Sequence, residues 1–147
     1  TSDGAGKISY SHRRSNACTV YSDASHGWIF DRLEQAVSEL VPHFRFELIG
    51  FFEGAQIYQY PKGGFLDWHM DIGFQHMSLR KLSITVQLSE EDEYQGGNLE
   101  FMSFQQPMPR PIGTVVVFPA YLQHRVTTVT RGSRWSLVSW VHGVPFR

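Results

Sequence analysis

The chain has 147 residues, 41% of them hydrophobic and 18% charged, with a formal net charge of -1. That length suits one domain with a buried core, and the composition excludes a disordered chain and a bulk electrostatic attraction to nucleic acid or acidic membrane. Cys18 is the only cysteine, which excludes an intramolecular disulfide and a zinc site built on thiolates and fits a reducing cytoplasm.

In chain order, the opening TSDGAGK is small and polar and starts with Thr. It reads as a flexible or trimmed lead-in, over residues 1–10, to a single domain spanning residues 1–147. Nothing there resembles a signal peptide, and no apolar run reaches the length that crosses a bilayer. One helix is predicted from Ser25 to Val41, with Ile29, Leu33, Val37, Leu40 and Val41 at helical spacing and Pro42 closing it. Phe46 to Tyr60 reads as strand, bent at Gly50 and Gly54. Pro61-Lys62-Gly63-Gly64 turns the chain into a short strand from Phe65 to Asp71. Ile72 to Leu79 is a loop.

Lys81 to Leu88 alternates, with Leu82, Ile84, Val86 and Leu88 on one face and Ser83, Thr85 and Gln87 on the other. Glu90 to Glu93 is a solvated loop. A Gly96-Gly97 turn leads into a strand from Asn98 to Met102. Pro107, Pro109 and Pro111 punctuate a loop. Gly113 to Pro119 is an apolar strand, Arg131-Gly132-Ser133 a turn, and Arg134 to Val141 the last strand. One helix followed by short strands with frequent turns predicts a mostly β sandwich or barrel. Neither a glycine-rich phosphate loop nor a G-x-S-x-G elbow is present.

His69-Met70-Asp71 is the first candidate for chemistry. Two apart on a strand, His69 and Asp71 project to one side, with Leu66, Trp68 and Met70 on the other. A His and an Asp together offer adjacent corners of an octahedral metal, and one more His completes a set that leaves three positions open to reactants. The tripeptide alone carries little, because chance supplies it often in a chain with seven His. His124, just past the Gly113 to Pro119 strand, is the natural third ligand; an ordinary loop histidine is the alternative. Arg134 shares a face with Ser136 on the final strand, where a guanidinium can fork onto a carboxylate and a hydroxyl can add a bond. Tyr58 and Tyr60 share a face of the preceding strand, and either phenol could donate to a ligand, although both also fit core tyrosines. Trp68, Trp135 and Trp140 fit core or cavity wall, and His142 fits a structural role.

The order helix, Tyr60-Pro61, His69-x-Asp71, Gly96-Gly97, Gly113 to Pro119, His124 and Arg134 resembles the prolyl-4-hydroxylase-like branch of the 2-oxoglutarate/iron(II) oxygenases. The stretches RKLSITVQLSEEDEYQGGNLEF (Arg80 to Phe101) and HRVTTVTRGSRWSLVSWVHG (His124 to Gly143) look closest to its bacterial PKHD-type hydroxylases. The resemblance implies a double-stranded β-helix, the jelly roll shared with cupins, with a flanking helix. It implies Fe(II) on His69, Asp71 and His124, with Arg134 on the far carboxylate of 2-oxoglutarate and Tyr60 beside it. Gln87 stands where some relatives carry a second tyrosine, a departure that leaves a carboxylate hydrogen bond as its candidate role. Arg125 and Arg131 match no role and read as rim or structural residues.

The activity so implied is hydroxylation of a C–H bond in a peptidyl-prolyl or amino-acid-like substrate. Dioxygen is consumed, 2-oxoglutarate is decarboxylated to succinate, and ascorbate is a candidate supporting reductant. Asp71 favours hydroxylation, since related halogenases carry a small residue there. A nucleic-acid dealkylase resembles a pattern with a second arginine six residues beyond Arg134, where this chain has Trp140. A non-catalytic cupin-like metal binder is the remaining alternative, although cupin sites draw on more histidines and a Glu.

Overall fold

The computed structural model describes residues 12–146, so the expected lead-in over residues 1–10 lies outside the described residues. Among the described residues there are twelve strands and one long helix. In order they are β1 (Arg13–Arg14), β2 (Asn16–Val20), α1 (Gly27–Phe44), β3 (Leu48–Gly50), β4 (Ala55–Tyr60), β5 (Phe65–His69) and β6 (Arg80–Gln87). There follow β7 (Tyr94–Gly96), β8 (Leu99–Phe101), β9 (Val115–Pro119), β10 (His124–Val126), β11 (Val129–Gly132) and β12 (Arg134–Gly143).

The larger sheet runs β2-β4-β12-β6-β9, with β3 also paired to β12, and the smaller runs β1-β5-β10-β8, with β11 and β7 as a separate antiparallel ribbon. Every pairing among them is antiparallel. This is the mostly β architecture with one flanking helix that the sequence predicts.

The larger sheet has two buried faces of opposite character. Leu82, Ile84, Leu137, Val141 and Ala55 point one way and pack under Phe30, Leu33 and Val37 of α1. Fully burying side chains of this size stabilises by about 1.5–3 kcal/mol each. The period-2 alternation of β6 then sends Ser83, Thr85 and Gln87 to the other face, where all three are buried as well. The predicted alternation therefore holds, and its polar half is an interior surface.

Several boundaries differ from expectation. The helix runs through Pro42 and ends at Phe44, with Arg45 at φ 53 as its left-handed cap. Proline removes one backbone donor, and one turn from a helix end that loss is tolerated because the chain stops soon after. The Phe46 to Tyr60 strand is two strands, with the chain leaving the sheet between Gly50 and Ala55. The final strand extends to Gly143. The Arg131 to Ser133 turn is largely the end of β11, pinned to β7 by the Gly132–Tyr94 pair. Within Ile72 to Leu79, Gln75–Leu79 forms a short 3-10 helix.

Candidate metal and cosubstrate site

β5 and β10 lie side by side in the smaller sheet, with His69 directly opposite His124 and their ring centroids 4.1 Å apart. Each ring is oriented from behind. His69 Nδ1 donates to the Asp67 carbonyl at 2.8 Å, and His124 Nδ1 donates to the Leu122 carbonyl at 2.9 Å. A carbonyl only accepts, so both Nδ1 atoms carry the proton and both Nε2 lone pairs are free.

They converge on Asp71. Its Oδ1 lies 3.3 Å from His69 Nε2 and 3.6 Å from His124 Nε2, and ligand atoms of all three residues fall within 4.8 Å of one another. Asp71 Oδ2 is held from the other side by the Ser83 hydroxyl at 2.6 Å and the Trp140 indole N–H at 3.2 Å. One carboxylate oxygen is thus satisfied by protein and the other faces the two imidazoles. Two neutral nitrogens and one carboxylate oxygen, each oriented by its own hydrogen bond, fit a divalent transition metal with open positions.

Burial pushes the Asp71 carboxyl up, but the adjacent His69 and His124 rings and the Ser83 hydroxyl together outweigh it and hold it well below the usual carboxylate range. His124 is pulled down by burial, wedged between Phe118 and Phe101 at 4.7 and 5.7 Å. His69 is also opposed by burial, yet the Asp71 carboxylate, which would accept from a protonated Nε2, raises it overall.

The three residues line a cavity of about 360 Å³ that also takes in Tyr58, Tyr60, Thr85, Arg134, Ser136 and Trp140 from the larger sheet. Arg134 is 4% exposed, and no carboxylate pairs with it among the described residues. Its Nη1 reaches the Ser136 hydroxyl at 3.4 Å. Burial lowers its pKa, the Tyr60 and Tyr94 phenols oppose that fall, and a guanidinium remains charged at neutral pH. Buried charges are normally paired, and this one has no acidic side chain to answer it among the described residues. Burial pushes the Tyr60 phenol up to about 12, so it stays a neutral donor. A larger groove of about 950 Å³ lies between α1 and the β3–β4 region, but none of these groups lines it.

Among the sequence-predicted site residues, the structure brings His69, Asp71, His124, Arg134, Tyr60 and Ser136 to this one cavity. Gln87 does not line it. Its Nε2 donates to the Tyr94 phenol at 2.6 Å, behind Arg134. Tyr94 itself escaped the sequence reading, although it lies two residues before the predicted Gly96-Gly97 turn. Gly97, at φ +61, leaves room there: a Cβ on it would lie 3.1 Å from Arg134 Cδ. Arg110, also unforeseen, lies 4.1 Å over the Tyr94 ring and donates to the Gly96 carbonyl, which fixes that corner.

Arg125 pairs with Glu100 and covers Trp68, while Arg131 donates to the Asp92 carbonyl, consistent with the expected structural roles. His142 is buried against Glu53 at 2.8 Å, also structural. Trp140 forms cavity wall as expected, whereas Trp135 is 41% exposed on the opposite face of β12. Leu66 was placed opposite His69, yet both line the cavity. The reason is a bulge: β10 advances two residues from His124 to Val126 while β5 steps three from His69 to Leu66, which resets the alternation.

Comparison with known proteins points the same way. The model of the 2OG-Fe(II) oxygenase superfamily matches residues 55–142. A PKHD-type hydroxylase of Synechococcus sp. (strain CC9605) is 38% identical over 77 residues, 50% of this chain and 35% of that protein. One from Shewanella frigidimarina (strain NCIMB 400) is 42% identical over 65 residues, 43% of this chain and 29% of that protein. The chain therefore spans about a third of the length of the curated relatives it matches.

Among solved structures, a Pseudomonas putida prolyl-4-hydroxylase superposes with a TM-score of 0.75 at 20% identity, covering 93% of this chain and 76% of that one. A viral collagen prolyl hydroxylase from Paramecium Bursaria Chlorella virus-1, in its 2OG complex, gives 0.70 at 19% identity, covering 90% and 81%. At these identities the likeness establishes the fold, the double-stranded β-helix. No helix among the described residues is long and apolar enough to cross a membrane.

Proposed function

Since the chain belongs to the 2OG-Fe(II) oxygenase superfamily, we propose that it is an Fe(II)- and 2-oxoglutarate-dependent dioxygenase hydroxylating a C–H bond of a peptidyl-prolyl or amino-acid-like substrate. In this reading residues 1–147 form one oxygenase domain, and His69, Asp71 and His124 hold the metal. Bound there, Fe(II) with 2-oxoglutarate and dioxygen supplies the oxidising power, and 2-oxoglutarate leaves as succinate and carbon dioxide.

The protein's own part is orientation and exclusion. The Asp67 and Leu122 carbonyls keep both Nε2 atoms aimed at one point, and Ser83 with Trp140 keeps Asp71 Oδ1 turned toward it. Arg134 takes the far carboxylate of 2-oxoglutarate, with Ser136 and the neutral Tyr60 phenol as further hydrogen-bond partners in the same cavity. Phe118, Leu99 and Val126 give the cavity apolar walls, which limit water around a reactive centre. The observation that carries this reading is the juxtaposition itself: three oriented ligand groups and a buried guanidinium without a carboxylate partner, lining one cavity.

Succinate release with Fe(II), 2-oxoglutarate and ascorbate over a panel of prolyl peptides and free amino acids tests it. Succinate should form with the wild-type chain and vanish in Asp71→Ala. No succinate above the Asp71→Ala background, in protein that binds Fe(II), would leave a metal-binding module and refute the enzyme reading.

A further inference from the structure

Three guanidinium groups line the cavity: Arg13, Arg80 and Arg134. Their partners differ. Arg80 forks onto both carboxylate oxygens of Glu53, at 2.7 and 2.5 Å, and lies 3.7 Å over the Trp140 ring, so its charge is answered within the protein. Arg134 is the seat assigned above to 2-oxoglutarate. Arg13 is left over.

Arg13 reaches the cavity from β1 of the smaller sheet. Its Nε donates to the Ser15 hydroxyl at 2.6 Å, and its guanidinium lies 4.1 Å over the Tyr58 ring. That stacking fixes the plane of the fork. Its Nη2 is buried and has no hydrogen-bond partner, and no carboxylate pairs with it among the described residues. A buried donor on a charged group is costly to leave unmade.

Arg13 and Arg134 are each held over a different aromatic ring. Between them stand two phenols in a row: Arg13 over Tyr58 at 4.1 Å, Tyr58 to Tyr60 at 6.3 Å, and Tyr60 to Arg134 at 5.6 Å. Charge balance sharpens this. Among the described residues Asp71 is the only carboxylate lining the cavity. A divalent metal, Asp71, doubly charged 2-oxoglutarate and Arg134 sum to neutral, and Arg80 with Glu53 is neutral on its own. Arg13 then remains as one unanswered positive charge beside a largely apolar space.

Resting on the oxygenase reading of this site, we propose that Arg13 binds a carboxylate of the substrate to be hydroxylated. The substrate class is then a free amino acid or another small carboxylic acid rather than an interior residue of a peptide chain. The guanidinium of Arg13 takes the carboxylate, and stacking on the Tyr58 ring holds its plane. The apolar side chains of Leu66, Ile72 and Met77, on the same lining, face the remainder of the substrate.

The test uses the full chain loaded with Mn(II) and 2-oxoglutarate without oxygen, and calorimetric binding as its readout. The probes are L-proline, L-leucine, L-lysine and L-phenylalanine, each against its primary carboxamide, with an acetylated and amidated prolyl peptide alongside. At least one free acid should bind tenfold or more tightly than its amide, and Arg13→Gln should erase that preference. Arg13→Lys, which keeps the charge and loses the fork, should retain part of it and guards against a variant that merely misfolds. Binding of 2-oxoglutarate, which Arg134 governs, is the internal control. If Mn(II) and 2-oxoglutarate do not bind, the oxygenase reading itself fails. If they bind and no acid is preferred over its amide, or the capped peptide binds best and Arg13→Gln leaves it unchanged, the assignment to Arg13 is overturned.

Discussion

Replacing Arg134 by Met separates a ligand-binding role from a structural one, because the two predict opposite changes. In the ligand-free chain the guanidinium is buried beside phenols and a serine, without a carboxylate. An apolar side chain of similar length removes that uncompensated burial, so stability should stay level or rise; exchanging buried charge for packed apolar groups is neutral or stabilising by about 1–4 kcal/mol. With the metal and 2-oxoglutarate present the sign reverses. A carboxylate held by two charge-assisted bonds loses about 3 kcal/mol when they go, roughly a hundredfold in affinity. At a concentration near 100 times the wild-type Kd, 2-oxoglutarate stabilises the wild-type chain by about 2.7 kcal/mol and the variant by about 0.4 kcal/mol. For a domain of this size the ligand-induced rise in Tm should fall from about 5–10 °C to about 1 °C. Thermal unfolding of Mn(II)-loaded protein with and without 2-oxoglutarate reads both effects. An Arg134→Met chain that is several kcal/mol less stable without ligand, yet keeps the full Tm rise, would refute the argument.

The remaining predictions concern the groups behind these. Ser83→Ala removes the 2.6 Å hydrogen bond to Asp71 Oδ2 and should lower metal affinity about 10- to 100-fold with little change in fold, measured by chelator competition. Tyr94→Phe leaves the buried Gln87 amide without its acceptor, which should cost about 1–3 kcal/mol by chemical denaturation and weaken 2-oxoglutarate binding through Arg134. Glu53 is opposed by burial, but Arg80 and then His142 hold its carboxyl below the ordinary value of 4.5. Its contribution is therefore fully present above pH 4.5 and lost as pH falls through the lower folded value. The stability gap between wild type and Glu53→Gln should be widest near neutrality and close in acid; a gap independent of pH would mean that the Glu53 charge contributes nothing.

What the sequence revealed depended on how long each pattern ran. The β6 alternation was legible because seven of its eight residues are buried, on two chemically distinct faces, with Leu82 and Ile84 under the helix and Ser83 and Thr85 under the cavity. The helix was legible from its apolar spacing, but not its end, since Pro42 breaks one i→i−4 bond and the helix still continues two residues to Phe44. β1 and β2 went unseen because Arg13-Arg14 and Asn16-Ala17-Cys18-Thr19 form sheet edges with no apolar period to read. β7, β10 and β11 are too short, at three, three and four residues, to show any period. Tyr94 and Arg13 were missed for a related reason. Their importance lies in which guanidinium or ring they meet across the barrel, and no local spacing encodes that.

Asp71 shows how a sequence argument can reach the right neighbours by an incomplete route. Side chains two apart on one strand stand roughly parallel, with their Cα atoms about 6.6 Å apart, and do not converge on a point. The strand in fact ends at His69, and the chain bends at Asp71. Asp71 N–H donates to the Ala120 carbonyl at 2.9 Å, as does that of Ile72 at 3.1 Å, and Arg80 Nη1 donates to the Asp71 carbonyl at 3.0 Å. Those bonds pull the backbone off the strand line and swing the carboxylate in, so that one oxygen comes within 3.3 Å of His69 and 3.6 Å of His124. An uninterrupted strand would leave Asp71 beside His69; the bend aims both at a single point, which a shared ligand requires. The H-x-D spacing is thus necessary and insufficient, and the clamp from Ala120 and Arg80 turns two neighbouring side chains into one site.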